Sequence, residues 1–167
     1  MAGGDSPRPE MKNSKKCDHT SVGILVWRDN KLLLIERKRG AIGFAPPAGH
    51  VDGDSSFEEA ARRELKEEVG LEAEDLRLLT EGKKENQCRR EDGGWHYWKV
   101  YQAEARGEVE RSEEETKQAS WFDKEELRKL AERTSKYLAQ KIPEDEWMRL
   151  PGIEPVWYEW FKELKII

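Results

Sequence analysis

The amino-acid sequence predicts an α/β protein, in which strands and helices follow one another along a single chain of 167 residues. Three observations carry this prediction. Short apolar runs near the N-terminus are bounded by turn residues, as β-strands usually are. The stretch from Phe57 to Val69 repeats its apolar residues at helical spacing. Further strand-like runs and a second helical pattern come after it.

The first elements are predicted to be two strands. "TSVGILVW", which begins at Thr20, is apolar enough for a largely buried strand, and "KLLLIERK" from Lys31 is expected to be its partner. The intervening "RDN" supplies turn chemistry, so we expect a hairpin. The Gly- and Pro-rich stretch 39–54 is predicted to be a loop with a short strand near residues 48–51.

The later elements include three predicted helices. One is expected from about Ser56 to Val69, capped by Ser55 or Ser56 and ended by Gly70. "LRLLTEGKKENQC" and "HYWKVYQAEA" are predicted strands separated by "EDGG", and "WF" is a further short strand. Asp123 is expected to cap a helix over "KEELRKLAERTSKYLAQK", and a last helix is expected near "VWYEWFKEL".

The domain organisation is predicted to be simple. Residues 1–16 are expected to form a flexible N-terminal tail, and residues 17–167 a single domain with a C-terminal helical extension. The sequence shows no internal repeat and no linker long enough to divide two domains. The tail lacks the apolar region of a secretory signal, and no apolar run approaches the ~18 residues of a membrane span.

The charge and the cysteine content limit the partners and the compartment. A formal net charge of -5 disfavours non-specific binding to nucleic acid. An acidic protein can still handle a phosphorylated small molecule if a divalent cation neutralises the charge locally. Cys17 and Cys88 are the only cysteines, so no disulfide framework is implied and a reducing cytoplasm is expected.

The helix predicted over residues 57–69 carries acidic residues on its apolar side. At 100° per residue, Glu64 and Glu68 fall in the middle of the apolar arc and Glu67 lies at its edge. Like charges at this spacing destabilise a helix by roughly 0.2–0.5 kcal/mol per pair, and partial burial adds a desolvation penalty. Cations or neighbouring Arg and Lys side chains could offset both costs.

The chemistry of these carboxylates favours a metal site. Hard oxygen ligands clustered without His or Cys suit Mg²⁺ or Mn²⁺. A solvated acidic face is the alternative interpretation, but the opposite face of the same helix is already polar. Metal binding explains two polar faces on one short helix better than solvation does.

Gly49 together with "RELKEEVGL" at residues 63–71 resembles the Nudix box of the Nudix hydrolases. That signature is Gly, five residues, Glu, seven residues, then Arg-Glu-U-x-Glu-Glu-x-Gly-U, where U is a bulky aliphatic residue. The matching positions are Gly49, Arg63, Glu64, Leu65, Glu67, Glu68, Gly70 and Leu71. One position departs, because Ser55 replaces the first Glu, with Asp54 beside it.

The resemblance covers about residues 20–134 and implies the Nudix fold, a mixed β-sheet sandwiched between α-helices. It also implies an Mg²⁺- or Mn²⁺-dependent hydrolase that cleaves a nucleoside diphosphate linked to another group. A small nucleotide, such as a (deoxy)nucleoside triphosphate or a damaged nucleotide, is the expected substrate. A Nudix-fold sensor that binds a nucleotide without cleaving it is the alternative. Family members are often homodimers, but nothing in the sequence identifies an interface.

The family's functional residues can be placed on this chain. The resemblance implies that Glu64, Glu67 and Glu68 hold the ions and that Arg63 orients a carboxylate of the box. In many family members a later loop supplies one further carboxylate, which binds metal or acts as the general base. Here Glu115 is the preferred candidate and Glu114 the next, although a merely solvated acidic loop is an equal alternative.

Substrate signals are weaker. The residues "NQC" at 86–88 occupy the region where some subfamilies carry a Pro marker for ADP-ribose or a Tyr marker for diadenosine polyphosphates, so neither substrate is supported. Arg37 is a candidate phosphate contact, with a solvated strand end as the alternative. The candidates for stacking on a base, each of which also suits a simple core position, are Phe44, Trp95, Tyr97 and Trp98.

A second metal site is also conceivable from the sequence. Four residues, Cys17, His19, Cys88 and His96, could compose a Cys₂His₂ zinc site, which would be structural. Unrelated buried residues are the alternative account. His50, in the loop before the acidic helix, is expected to make loop contacts and not to act in catalysis.

Overall fold

A computed structural model describes residues 15–167, which form eight strands and four helices. The predicted α/β class is confirmed. Residues 1–14, most of the predicted tail, lie outside the described residues, and Lys16 pairs in a bridge with Glu91. The strands are β1 (Thr20–Leu25), β2 (Trp27–Arg28), β3 (Lys31–Arg37), β4 (Phe44–Ala45), β5 (Ala48–Gly49), β6 (Glu72–Lys84), β7 (His96–Arg106) and β8 (Thr116–Phe122). The helices are α1 (Phe57–Val69), α2 (Lys124–Leu138), α3 (Glu144–Arg149) and α4 (Pro155–Glu163).

The strands are divided between two sheets. One is mixed, in the order β5-β1-β7-β6, with β1 parallel to β7 and the other pairs antiparallel. In the other sheet, β3 pairs antiparallel with β2, β4 and β8. Both faces of β1 and β3 are covered, because their side chains alternate between two buried apolar clusters. The near-continuous apolar runs seen in the sequence follow from this double burial.

The predicted pairing of the first two strands was wrong in part. β1 pairs with β5 and β7, and the chain then passes into the other sheet at Val26. Of the first apolar run, only the β2 part pairs with β3, through a turn in which Asp29 and Asn30 have φ of 52° and 63°. An uninterrupted apolar run gives no sign of a change of sheet, because both sheets demand buried residues there.

The acidic helix α1 has the predicted bounds. Ser56 caps its N-terminus by accepting a hydrogen bond from the Glu59 N–H at 3.0 Å. Gly70 ends it in the left-handed conformation, with φ of 74°, which glycine adopts at little cost. Its buried apolar residues are Ala60, Ala61, Leu65 and Val69, which pack on the mixed sheet and β3.

The C-terminal extension belongs to the core. Trp157 and Phe161 of α4 are fully buried, and a Cβ on Gly23 of β1 would overlap the Trp157 ring. The helix was predicted from its apolar spacing, whereas the short helix α3 was not predicted. In α2, the Asp123 side chain forms the expected cap by accepting a hydrogen bond from the Glu126 N–H. The Glu126 side chain in turn accepts one from the Asp123 N–H. No helix of residues 15–167 is both long enough and apolar enough to cross a membrane.

The remaining strands differ from their predicted bounds. β6 begins and ends earlier than predicted, so residues 85–95 form the connection to β7. β8 is longer than the predicted "WF", because polar side chains on an outer strand do not show the apolar alternation of a buried one.

Candidate active site

Two carboxylates of α1 are aimed at the short strand β5. Glu68 Oε1 accepts a hydrogen bond from the Ala48 N–H at 2.9 Å. A Cβ on Gly49 would overlap the carboxylate of Glu64, so a larger residue there would displace that side chain. The short strand that contains Gly49 therefore packs directly against the two inward-facing glutamates, although they lie far from it in the sequence.

Glu68 is buried and the Glu64 side chain is 12% exposed, and this burial is the main influence on the pKa of each carboxyl. It raises the pKa of Glu64 to about 7, and the adjacent Arg63 opposes the shift. Burial raises the pKa of Glu68 to about 8; Arg37 opposes this shift, and the charge of Glu64 adds to it. Glu68 is only 4% exposed. A divalent cation would offset this concentrated negative charge, and the all-oxygen donor set fits Mg²⁺ or Mn²⁺.

Arg63 joins the loop before α1 to the carboxylates. Its Nε donates to Asp54 Oδ2 at 2.8 Å, its Nη1 donates to Glu64 Oε1 at 2.8 Å, and its Nη2 donates to the His50 carbonyl at 2.9 Å. Because three separate groups share one rigid guanidinium, the loop and the helix hold each other in place. The sequence-based prediction that Arg63 bonds a carboxylate of the box agrees with these contacts.

The departure from the box signature has a local consequence. Ser55 donates a hydrogen bond to Glu59, and its neighbour Asp54 takes the place beside Arg63. Asp54 also forms an ion pair with Arg63 Nη2 at 2.8 Å. The acidic partner at this end of the box is therefore supplied by the preceding residue.

The other two predicted metal ligands are more exposed. The Glu67 side chain is 51% exposed and lies 3.3 Å from Arg63 Nη1. Glu115 lies in the loop before β8, where its carbonyl accepts from the Lys38 N–H at 2.9 Å. Its charge is close enough to raise the pKa of Glu68.

Arg37, the predicted phosphate contact, lies at the site together with a buried carboxylate, Glu154, that the sequence did not reveal. Arg37 has two guanidinium nitrogens, Nε and Nη2, that are buried without a partner among the described residues. Glu154, 4% exposed, lies near it, and Glu154 Oε2 likewise has no partner within residues 15–167. Burial raises the pKa of Glu154, and Arg37 opposes the shift.

Main-chain pairing sets the position of Glu154. Its N–H donates to the Phe44 carbonyl at 3.0 Å, and the Phe44 N–H donates to the Gly152 carbonyl at 2.8 Å. Phe44 itself is buried and packs edge-on against Phe122, outside the lining of the cleft described next. The structure thus gives Phe44 a packing role in place of the predicted stacking role, because β4 lies between β3 and the C-terminal segment.

A cleft of about 260 Å³ runs from Gly49 past Arg37 and Glu154, and it adjoins a wider pocket of about 720 Å³. Four arginines line the cleft, namely Arg37, Arg39, Arg89 and Arg90. Guanidinium groups suit the binding of phosphates, so the cleft is cationic beside the acidic pair. Trp98 lines it as well, but its ring is 3% exposed and packs edge-on against Trp157.

The remaining aromatic candidates lie away from this cleft. Trp95 stacks on His19 with ring centroids 4.0 Å apart, and the Tyr97 hydroxyl donates to Glu81 at 2.6 Å. The imidazole ring of His19 is therefore not part of the cysteine cluster with which it was grouped. In its place, His50 joins Cys17, Cys88 and His96 in a compact cluster.

The family model of the NUDIX domain matches residues 18–142. Two curated relatives are each 39% identical over short stretches. The ADP-ribose pyrophosphatase of Methanocaldococcus jannaschii aligns over 66 residues, 37% of this chain and 39% of that protein. The phosphatase NudJ of Escherichia coli K12 aligns over 57 residues, 34% of this chain and 37% of that protein. The chain thus spans about two fifths of the length of these relatives.

Solved structures resemble a larger part of the chain. A MutT NUDIX hydrolase from Burkholderia pseudomallei has a TM-score of 0.58 at 28% identity, covering 65% of this chain and 84% of that one. A NUDIX hydrolase from Nitrosomonas europaea has a TM-score of 0.57 at 24% identity, covering 76% and 93%. The chain belongs to the Nudix family, as the family match over most of its length shows, and its fold is that of the Nudix hydrolases.

Proposed function

We propose that this protein is a pyrophosphohydrolase that cleaves a nucleoside diphosphate linked to another group, with Mg²⁺ or Mn²⁺ as its cofactor. One observation carries the proposal: the buried carboxylates of Glu64 and Glu68 lie beside a cleft lined by arginines. Carboxylates with raised pKa values in a cleft are typical of functional sites. Mg²⁺ and Mn²⁺, which these carboxylates suit, are also cations that can assist the hydrolysis of a diphosphate.

Each of the box residues has a distinct proposed role. Glu64, Glu67 and Glu68 are proposed to hold the metal, with Glu115 as a further ligand or as the base. Arg63 positions Glu64 and the loop at His50 and is not proposed to contact substrate. The bound cation would supply polarisation of phosphoryl oxygens and a lowered pKa for the attacking water.

The reaction consumes one water per turnover. The water oxygen forms a new bond to phosphorus, the bond from that phosphorus to the bridging oxygen breaks, and the water proton passes to a carboxylate. Arg37 and Arg39, which line the cleft, are proposed to bind the phosphate oxygens and so to hold the substrate against α1. The wider pocket beyond them has room for the rest of a nucleotide.

A (deoxy)nucleoside triphosphate, including a damaged one, is the proposed substrate class. ADP-ribose is the principal competitor, because one relative over part of the chain is an ADP-ribose pyrophosphatase. The test is turnover on nucleoside triphosphates, oxidised dGTP, ADP-ribose, dinucleoside polyphosphates, NADH, coenzyme A and 5′-triphosphorylated RNA. Each substrate is run with Mg²⁺, with Mn²⁺ and with EDTA, and products are separated by chromatography.

The result expected is cleavage of one class of substrate that EDTA abolishes. Glu67→Gln should lower this turnover well over tenfold, about 1.4 kcal/mol or more of transition-state stabilisation, with thermal stability unchanged or higher. Glu59→Gln on the same helix is the matched control and should turn over like the wild type. If none of the substrates is cleaved although a nucleotide still binds, the proposal is contradicted and the sensor alternative is favoured.

A further inference from the structure

Cys17, His50, Cys88 and His96 form a cluster that the proposed hydrolysis does not use. Each offers one ligand atom, and the four atoms lie within 4.8 Å of one another. Cys17 Sγ lies 3.5 Å from His50 Nε2 and 3.3 Å from His96 Nε2. Cys17 and His96 are fully buried, whereas His50 and Cys88 are partly exposed.

We propose that this cluster is a structural zinc site with Cys17, His50, Cys88 and His96 as its four ligands. Thiolate and imidazole are the ligands of tetrahedral structural zinc, and four protein ligands leave no position for water. Bond lengths of about 2.3 Å to sulfur and about 2.0 Å to nitrogen separate the two ligand atoms by about 3.5 Å. The two sulfur-to-nitrogen distances found here match that separation.

The surroundings of the sulfurs suit thiolates. The His19 N–H donates to Cys17 Sγ at 3.2 Å, and the Arg90 N–H approaches Cys88 Sγ at 3.4 Å. Main-chain donors of this kind stabilise the negative sulfur of a metal-bound cysteine. A Cβ on Gly93 would overlap Cys88 Sγ, so the turn that follows Cys88 leaves space for the sulfur.

The ligands come from three segments that main-chain hydrogen bonds and the Arg90–Asp52 ion pair already hold close together. Cys17 precedes β1, His50 follows β5, and Cys88 and His96 belong to the connection from β6 and the start of β7. The Cys17 N–H donates to the Glu91 carbonyl at 2.9 Å, which already brings the first and third segments together. One ion would clamp all three around the cleft that Cys88, His50 and His96 help to line.

The zinc site is joined to the acidic site through one residue. The His50 side chain belongs to the cluster, and its carbonyl accepts a hydrogen bond from Arg63 Nη2 at 2.9 Å. Arg63 in turn donates to Glu64. Zinc would therefore hold the loop against which the box arginine is oriented, which is a positioning role.

The first test is the metal content of the wild type. The protein is expressed with added zinc, purified in reducing buffer without a polyhistidine tag, and analysed by mass spectrometry for metals. About one zinc per chain is expected. Cobalt added to zinc-free protein should produce the visible absorption of a tetrahedral site with thiolate ligands. Neither measurement depends on catalytic activity or on a variant.

Variants then identify the ligands. Cys88→Ser should lose nearly all the zinc and lower the melting temperature by about 5 °C or more, because metal binding stabilises the folded state. His19→Ala is the matched control and should keep its zinc, since His19 stacks on Trp95 outside the cluster. Glu67→Gln should also keep its zinc, which separates this site from the catalytic one.

Several results would overturn the proposal. One such result is a wild-type protein that contains no zinc and gives no tetrahedral cobalt spectrum. Another is a Cys88→Ser variant that keeps its full zinc content. Loss of zinc in His19→Ala would mean that His19, and not His50, is the fourth ligand. A disulfide between Cys17 and Cys88 in freshly purified zinc-free protein would assign the two sulfurs to redox chemistry instead.

Discussion

The acidic face of α1 and the Cys/His cluster are connected through His50, and the chain builds them in opposite ways. Glu64 and Glu68 are one helical turn apart, so a single short segment brings both to the same place. The four residues of the cluster come from three segments that only the tertiary fold brings together. The first site could be predicted from spacing alone, and the second could not.

The two regions also differ in their electrostatics. The carboxylates offer hard oxygen ligands, and burial disfavours their ionised form, so ionising them destabilises the protein unless a cation is bound. In the cluster, burial lowers the pKa of His50 to about 4, and the charge of Arg90 adds to the shift. Its imidazole is therefore neutral near pH 7. The two proposed sites would therefore differ in their ions, with an exchangeable hard cation at α1 and a retained, borderline-soft zinc ion at the cluster.

The largest effect should come from the pH dependence of stability in Mg²⁺-free buffer. Glu68 has a folded-state pKa of about 8, well above its unfolded value near 4.3. Above about pH 4.3 the unfolded state binds fewer protons, so stability falls as pH rises towards 8, by at most about 1.4 kcal/mol per pH unit. The groups facing Glu68 are Arg37, Glu64, Glu115 and the Ala48 N–H.

The measurement is the free energy of unfolding in urea for the wild type and Glu68→Gln, from about pH 5 to about pH 8. As pH rises across this range, the free energy of unfolding of the wild type should fall by roughly 2–4 kcal/mol relative to that of Glu68→Gln, because Gln does not titrate. A difference that does not change with pH would contradict the buried, cation-deficient site.

A smaller effect is expected from Gly49→Ala. The new Cβ would overlap the Glu64 carboxylate, and that flexible side chain would move while the backbone stays in place. Turnover should fall by about tenfold to a hundredfold with little change in melting temperature. Gly53→Ala in the same loop is the control, since a Cβ there meets nothing within 4 Å. Equal activity of the two variants would show that the position of Glu64 is unimportant.

The smallest effect concerns the position where the box signature departs. Ser55→Ala removes only an exposed hydrogen bond to Glu59, so turnover should change by less than about twofold. Asp54→Asn removes the charge beside Arg63 and should lower turnover more, by about threefold to tenfold. Steady-state kinetics of both variants check this order. The reverse order would mean that Asp54 does not replace the missing glutamate.

The sequence predicted the parts of the molecule that depend on local spacing. The approximate bounds of α1 and its Gly70 terminus could be placed without a structure, and the cap was limited to Ser55 or Ser56, of which the structure uses Ser56. The convergence of the box carboxylates follows from the same geometry. The packing of α4 was predicted from its apolar periodicity, and its buried tryptophans agree with that pattern.

Features that depend on long-range contacts were missed or wrong. Glu154 reaches the site because its segment pairs with Phe44, a contact across more than a hundred residues that no local pattern encodes. His19 was grouped with Cys17 because only one residue separates them in sequence, yet the His19 ring stacks on Trp95 and His50 takes its place in the cluster. The apolar run that contains Val26 likewise conceals the change of sheet, because both sheets bury it.

The central claim is that the buried carboxylates of α1 hold the catalytic cation. Its most direct test is the binding of Mn²⁺, measured by electron paramagnetic resonance on the wild type, Glu68→Gln and Glu59→Gln. We expect the dissociation constant to rise at least about tenfold in Glu68→Gln and to stay unchanged in Glu59→Gln. Wild-type affinity for Mn²⁺ in Glu68→Gln would contradict the claim.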